Sequence, residues 1–376
     1  MPSSQADVAE YVSELAWGME ADVMAIVARA LASIHSNRES FERQPADVKR
    51  YEKVLARYLI AIREALREGM GAQADADDEW AAPWFQAREA AMTPWAGSKI
   101  MSGIYQDGLD RMLDDVGSMI RTSAIGMRTP AGELMPFDGA YRAMCDEVIQ
   151  AMTRGEMDRE QAVSQIVGMM ADSGLKVTYA SGRTRELYSA VETNIRDGFG
   201  ATMSQARMKR GEQFGADGVE ITAHAQCAPD HLPYQGRQYS MAEYYRINQG
   251  LGRPIVTGAN CRHRANPVIL GLSVTTYSDK DLGRMQKMSE KQVTFTGRSG
   301  KALTMSTYDA TQYMRGMERD IRRAATKARL LESAGADTAK ADQAVEALSD
   351  RWSAMQEETK IRGRVERTRP LVLSRA

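Results

Sequence analysis

Over residues 314–355 the apolar side chains step by three and four: Met314, Met317, Ile321, Ala324, Ala328 and Leu331, then, past Gly335, Ala341, Val345, Leu348, Trp352 and Met355. A repeat near 3.6 gathers each set on one face of a helix, and no strand can present it that way. The pattern predicts two antiparallel helices with facing seams. The same stepping opens the chain at Val8, Val12, Leu15, Met19, Val23 and Ile26. It returns through Val48, Tyr51, Leu55, Tyr58, Ile62 and Leu66, announced by Pro45 and Asp47 and ended by Gly69 and Gly71. The fold class this implies is mainly α, with long amphipathic helices at both ends and a small α+β module between them.

The stretches between these helices read differently. "AQADADDEWAAPWFQAREAAMTPWAGSK" carries an acidic run, two prolines and Trp80, Trp84 and Trp95, which suits an irregular connector docked by its aromatic side chains. "GMRTPAGELMPFDG" reads as a second connector built on a turn. Helical spacing resumes through Tyr141, Met144 and Val148, and Asp158 and Gly174 bracket a short helix as cap and stop. From about residue 175 the texture changes. "LKVTYASG" is β-rich, a helix follows from about Thr184 to Lys209, and "GVEITAH" alternates Val219, Ile221 and Ala223 with Glu220 and Thr222. "QVTFT" and "ALTMS" flank "GRSGK" as a hairpin, whose glycines are too close together for a phosphate loop. Four regions result: helical 1–135, a core with the α/β module at 136–304, a helical hairpin at 305–360 and a basic tail at 361–376. The tail lacks helical periodicity and reads as a mobile arm or one ordered by a partner.

With 49 basic against 50 acidic residues the chain does not read as a wholesale nucleic-acid binder. Its N-terminus lacks a basic region followed by an apolar one, and no run reaches the length of a membrane span, so a soluble protein made without Sec export is expected. Three cysteines make no disulfide framework. Cys145, on an apolar helical face, reads as a small buried side chain. The basic residues of "RDIRRAATKARL" fall on a polar helix face, where solvation is the default.

Four histidines and three cysteines are scarce, yet "HAQCAPDH" and "NCRH" hold most of them: His224, Cys227, His231, Cys261 and His263. Cys261 and His263, one residue apart, project to the same side of extended backbone. Four of these five could close a tetrahedral zinc site. A second arrangement uses the same residues without metal, as a network in which the histidines hydrogen-bond backbone groups and the cysteines pack as small apolar side chains. A third is a nuclease of the His-Asn-His type. There His231 is the base, His263 and Asp230 hold a divalent cation, and Asn248 or Asn260 orients the base. The asparagine spacing fits that frame poorly.

The order "YRAMCDEVIQAMTRGEMDREQAVSQIVGMMADSGL", "GADGVEITAHAQCAPDHLPYQGRQYS", "GANCRHRANPVILGLS" and "STYDATQYMRGMERDIRRAATKARLLESAGAD" resembles the tailed-bacteriophage minor capsid (minor head) protein family. Its members are encoded beside the portal protein and are similar in role to Mu-F-like head proteins. The resemblance runs from about residue 138 to 367. Its motif positions here include Gln235, Gly236, Arg237, Asn260 and Gly271, with His224, His231, Cys261 and His263 as the matching ligand set. The family has arginine at Cys227 and tryptophan at Tyr234, which counts against Cys227 as a shared ligand. What the resemblance implies is a structural virion component at the portal vertex, aiding head assembly, DNA packaging or DNA delivery, with no accepted catalysis. Expected partners are the portal protein, other capsid and head-tail proteins, and packaged DNA; no membrane partner is expected. Residues 1–135 are the region that would dock to portal or capsid.

Overall fold

The computed structural model describes residues 5–33, 37–86, 99–120, 125–179, 181–213, 215–251, 254–256 and 261–368. Three helices lead: α1 (Gln5–Ala32), α2 (Asn37–Gln86) and α3 (Lys99–Ile120). A hairpin of β1 (Ile125–Arg128) and β2 (Leu134–Pro136) runs into α4 (Phe137–Thr153) and α5 (Arg159–Ser173). A second hairpin, β3 (Lys176–Thr178) and β4 (Thr184–Glu186), runs into α6 (Leu187–Gln213). Then come β5 (Gly218–Ile221), β6 (Gln238–Ser240), α7 (Met241–Gly250), β7 (Ala265–Val268) and α8 (Asp279–Glu290). A last hairpin, β8 (Gln292–Thr296) and β9 (Ala302–Ser306), precedes α9 (Thr307–Ser333), α10 (Ala339–Thr359) and a 3-10 turn at Val365–Thr368. The molecule is thus mainly α with small antiparallel sheets.

Burial on α1 extends well beyond the expected stripe. Trp17, Met24, Leu31 and alanines on other faces are buried too, and Ser13 and Glu20 lie inside with them. Alanine at positions 9, 16, 21, 25 and 28 keeps the helix thin enough for α2, α6, α9, α5 and α4 to pack around it. The main core is built on this helix, each large apolar side chain contributing roughly 1.5–3 kcal/mol.

The second helix does not end at Gly69 and Gly71; α2 continues to Gln86, so the first half of the expected connector is helical. Gly69 serves packing, since a Cβ there would stand 2.3 Å from Val8 Cγ2 on α1. Close approach of two helices offsets the cost of glycine in a helix, about 1 kcal/mol. The side chains of Trp80, Trp84 and Trp95, assigned to docking, lie outside the described residues. Helix α3 occupies a stretch to which the sequence reading gave no element.

The connector "GMRTPAGELMPFDG" is the β1–β2 hairpin. The β-rich segment near residue 175 does not open a separate module. Strand β3 pairs with β1, Ile125 opposite Val177, in a sheet ordered β2-β1-β3-β4 that joins both sides of residue 135. A second sheet, β6-β5-β7, has its own apolar cluster around Val219, Ile221, Tyr244 and Val256. The β8–β9 hairpin forms over "QVTFT" and "ALTMS" and packs Phe295 against Met314, Met317, Trp352 and Met355 of the α9–α10 pair.

One local frame recurs. In β1–β2, Thr129 N–H donates to Glu133 O (2.8 Å) and Gly132 N–H to Thr129 O (2.8 Å), with Gly132 at φ 85. In β3–β4, Tyr179 N–H donates to Arg183 O (2.9 Å) and Gly182 N–H to Tyr179 O (2.8 Å), with Gly182 at φ 78. In β8–β9, Gly297, Lys301 and Gly300 repeat the pattern, with Gly300 at φ 77. Each is a tight turn closed by a left-handed glycine, and each second strand passes straight into a helix. The β5–β6 pair has the same closure. Ile221 N–H donates to Arg237 O (3.1 Å) and Gly236 N–H to Ile221 O (2.7 Å), with Gly236 at φ 69 and α7 starting directly after β6. Here residues 222–235 stand where residues 130–131 stand in the first hairpin.

The polar face of α9 is not solvated as expected. Arg322 is buried, its guanidinium 4.3 Å from the Trp17 ring centroid and 4.7 Å from that of Tyr188. Trp17 Nε1 donates to Thr326 Oγ1 (2.9 Å), Arg329 pairs with Asp22, and Lys327 with Asp172. The start of the basic tail is ordered by the chain itself: Ile361 is buried, and Arg364 and Arg367 pair with Glu10 of α1. Residues 369–376 lie outside the described residues.

Candidate metal centre and the cavity beside it

The expanded turn at 222–235 carries His224, Cys227 and His231, and the residues entering β7 carry Cys261 and His263. Strands β5 and β7 are paired neighbours, Ile221 opposite Ala265, so the two segments leave the sheet side by side. The loop is pinned at several points. Gln226 N–H donates to Ser289 Oγ of α8 (2.8 Å), His231 N–H to Ala228 O (2.9 Å), and Arg264 N–H to Thr222 Oγ1 (2.9 Å). Gly236 closes it where a Cβ would stand 2.3 Å from Leu282 Cδ2.

His231, Cys261 and His263 come together, one ligand atom from each within 4.8 Å of the others. Cys261 Sγ lies 3.6 Å from His231 Nδ1 and 3.2 Å from His263 Nδ1. Its S–H donates to Ile255 O (2.6 Å). The far edge of each imidazole meets an oxygen, at hydrogen-bond distance for His263 and at the longer ion-pair distance for His231. Gln235 Oε1 accepts from the His224 backbone N–H (3.1 Å) and stands 3.2 Å from His263 Nε2. An amide oxygen only accepts, so the His263 proton sits on Nε2 and the Nδ1 lone pair faces Cys261. Asp230 Oδ2 is 3.8 Å from His231 Nε2. An acceptor behind each ring is the support that orients metal-binding histidines.

The other two candidates stand apart from this trio. Cys227 Sγ donates to Ala228 O (3.3 Å) and lies 3.4 Å from His263 Nε2, the proton-bearing side of the ring. His224 stacks on His263 at 4.5 Å between centroids and donates from Nδ1 to Ala225 O (2.9 Å). That leaves Nε2 with a lone pair, buried and without a hydrogen-bond partner. Burial holds the His224 imidazole below its ordinary pKa, partly opposed by the Ala225 bond. Asn248 Oδ1 accepts from Val256 N–H (2.9 Å), which anchors the segment ahead of Cys261. Asn260 lies outside the described residues. Of the other motif residues, Arg237 supplies the carbonyl that closes the hairpin, and Gly271 takes φ 75 in the turn after β7.

His224, His231, Cys261 and His263 line one side of a cavity of about 370 Å³. Its other walls come from α1, α6, α9 and the 3-10 turn. Six arginines line it (196, 262, 315, 319, 322 and 367) against four glutamates (10, 14, 192 and 318). Glu192 holds Arg196, and Glu10 and Glu318 hold Arg367. Arg315 bonds only Gln312 Oε1 (3.3 Å), and no carboxylate among the described residues pairs with Arg315 or Arg262. Burial, and then the nearby charges of Arg262, Arg367 and Arg196, lower the Arg315 pKa to about 10. No local sequence pattern marks this cavity. Its walls come from residues as distant as Glu10 and Arg367, and the only hint was three arginines at three- and four-residue steps, 315, 319 and 322.

The sequence matches the family described as phage minor capsid protein 2 over residues 2–358. The chain belongs to that family. No curated protein and no solved structure matches it. For a minor capsid protein the role in the phage particle is structural, alongside other head proteins. Among the described residues no helix is long and apolar enough to cross a membrane.

Proposed function

We propose that this minor capsid protein sits at the portal vertex of the virion, where it aids head assembly, DNA packaging or DNA delivery without performing catalysis. The family match across nearly the whole chain supports the structural role in the phage particle, and the placement at the portal rests on the resemblance to portal-associated minor head proteins. The interlocking of chain ends supports it: Glu10 tied to Arg364 and Arg367 gives a body suited to mechanical load during packaging. Because α1 is enclosed, contact with the portal from residues 1–135 falls on the outer faces of α2 and α3, where Ile60 is 58% exposed. Chemical cross-linking of purified virions followed by mass spectrometry tests it. Links from Lys49 or Lys53 of α2 to portal protein are expected, and a virion preparation lacking this chain would refute the placement.

Within this role His231, Cys261 and His263 hold a zinc ion that braces the expanded turn. Two imidazole nitrogens and a thiolate are a soft donor set suited to zinc, and the acceptors behind both rings fit it. The partnerless Nε2 of His224 is a further donor beside them. Elemental analysis of the purified protein is expected to find about one zinc per chain, lost in the Cys261→Ala variant.

A second reading, a metal-dependent nuclease, rests on the trio having three ligands and lining an arginine-rich cavity, as a catalytic metal with an open position does. Incubation with plasmid DNA and zinc or magnesium separates the two. No cleavage is expected, and cleavage abolished by His231→Ala would overturn the structural role.

A further inference from the structure

The arginines of the cavity outnumber its glutamates by two, six against four. Three of the four glutamates are engaged within the wall: Glu192 with Arg196, Glu10 with Arg364 and Arg367, and Glu318 with the Arg364 backbone N–H (2.9 Å) and Arg367. Four of the six, Arg262, Arg315, Arg319 and Arg322, pair with no carboxylate among the described residues; Arg322 lies against the Trp17 and Tyr188 rings instead, and Arg262 and Arg315 come from different elements, the residues entering β7 and α9. Along α9 a guanidinium that ties helices together has a carboxylate or an aromatic ring beside it, as Arg323 has Glu186, Arg329 has Asp22, and Arg322 has Trp17 and Tyr188; Arg262 and Arg315 have neither among the described residues. Positive charges in excess of their counterions raise the energy of the empty cavity and lower that of an anion-filled one. The guanidinium fork matches the oxygens of carboxylate and phosphate, and a surplus of two charges matches a phosphate monoester, which carries close to two.

We propose that this cavity binds a phosphate monoester dianion, held chiefly by Arg262 and Arg315. About 370 Å³ is at the small end of ligand sites, enough for phosphate or a mononucleotide. A duplex is excluded, since its major groove alone is about 12 Å wide. The shared chemistry is a terminal phosphate, whether on a free small molecule or at the 5′ end of a strand.

Isothermal titration calorimetry on the full chain as purified tests this; the arginine variants leave His231, Cys261 and His263 in place, so a loss of binding in them is not the loss of a bound ion. The probes are inorganic phosphate, adenosine monophosphate, adenosine, and a dinucleotide with and without a 5′ phosphate. Binding is expected for the phosphorylated probes only, weakened about tenfold or more by Arg315→Gln and by Arg262→Gln. Preference for the phosphorylated dinucleotide identifies a strand end as the source; equal or better binding of adenosine monophosphate identifies a free ester. The unliganded Arg315→Gln protein should melt no lower than the parent, because repulsion is relieved. Arg262, being exposed, gives a second variant should Arg315→Gln fail to fold. Equal binding of adenosine, absence of binding by every phosphorylated probe at millimolar concentration, or unchanged affinity in both variants would overturn the proposal. None of these outcomes bears on the placement at the portal.

Discussion

Two hairpins of this molecule, β3–β4 and β5–β6, are closed by the same pair of backbone hydrogen bonds and the same left-handed glycine, and each hands its second strand directly to a helix. They differ in what lies between the closing residues. Tyr179 and Gly182 are separated by two residues, whereas Ile221 and Gly236 are separated by residues 222–235, the loop that carries His224, Cys227, His231 and Gln235. The plain turn presents no side-chain chemistry. The comparison teaches that the scaffold is repeated and the chemistry is inserted: a rigid closure already in place lets a long loop be added without disturbing the sheet. A loop of that length has little secondary structure to hold it, so it needs internal bracing. Cys261 and His263, on the segment entering the neighbouring strand β7, provide the partners.

The largest expected effect comes from removing the proposed zinc ion. Chelation, or the double variant Cys261→Ala with His263→Ala, should strip hydrogen-exchange protection from residues 219–268 and leave the β1–β4 sheet protected. Equal loss in both sheets would mean the loop is not an independent unit. Next in size is a pair of glycine substitutions. Gly236→Ala meets both a left-handed backbone and Leu282, whereas Gly182→Ala meets the backbone conformation with open space around it. Denaturant unfolding should give losses of about 2–4 kcal/mol for the first and about 1–2 kcal/mol for the second. Equal losses would remove the claim that the expanded turn is packed from outside.

The plain hairpin should answer to pH instead. Glu20 is buried and accepts from Leu175 N–H (2.7 Å), at the entry to β3. Burial raises its carboxyl from 4.5 to about 7, against the Leu175 bond. Between those values the folded chain keeps a proton that the unfolded chain has released, so stability falls as pH rises through that window and is level above it. Glu20→Gln should remove that slope, raising stability by up to about 3 kcal/mol at pH 8 and by little below pH 4.5, in thermal melts. An unchanged slope would reassign the pH response to other groups. Gln235→Ala acts on the metal site alone. Loss of the acceptor that fixes the His263 tautomer should weaken zinc binding about 10- to 100-fold, read by competition with a chelator. An unchanged affinity would mean that Cys227 alone orients the ring.

Much of the fold was legible because helical periodicity is a local signal. The α9–α10 pair, the Asp158 cap with its Gln161 partner and the β8–β9 hairpin each follow from residues close in sequence. Errors fell where a residue answered to a distant neighbour. Gly69 reads as a stop until Val8 is placed against it, and the arginines of α9 read as solvated until Trp17, Tyr188 and Asp22 face them. The repeated hairpin closure was visible as glycines five residues ahead of helix starts at Phe137, Leu187 and Met241, but short strands gave too little alternation to draw attention to it.

By itself the sequence determined that the chain is built of long helices around a small β portion, and that its scarce histidines and cysteines lie in two short windows. Periodicity and composition are properties of neighbouring residues. Which three of five candidates face one another, which nitrogen of His263 faces Cys261, and that a surplus of guanidinium charge surrounds a cavity were decided only by tertiary structure. Those depend on strand pairing between β5 and β7 and on α1, α6, α9 and the tail meeting in space, and no local signal encodes where segments so far apart in the chain will pack.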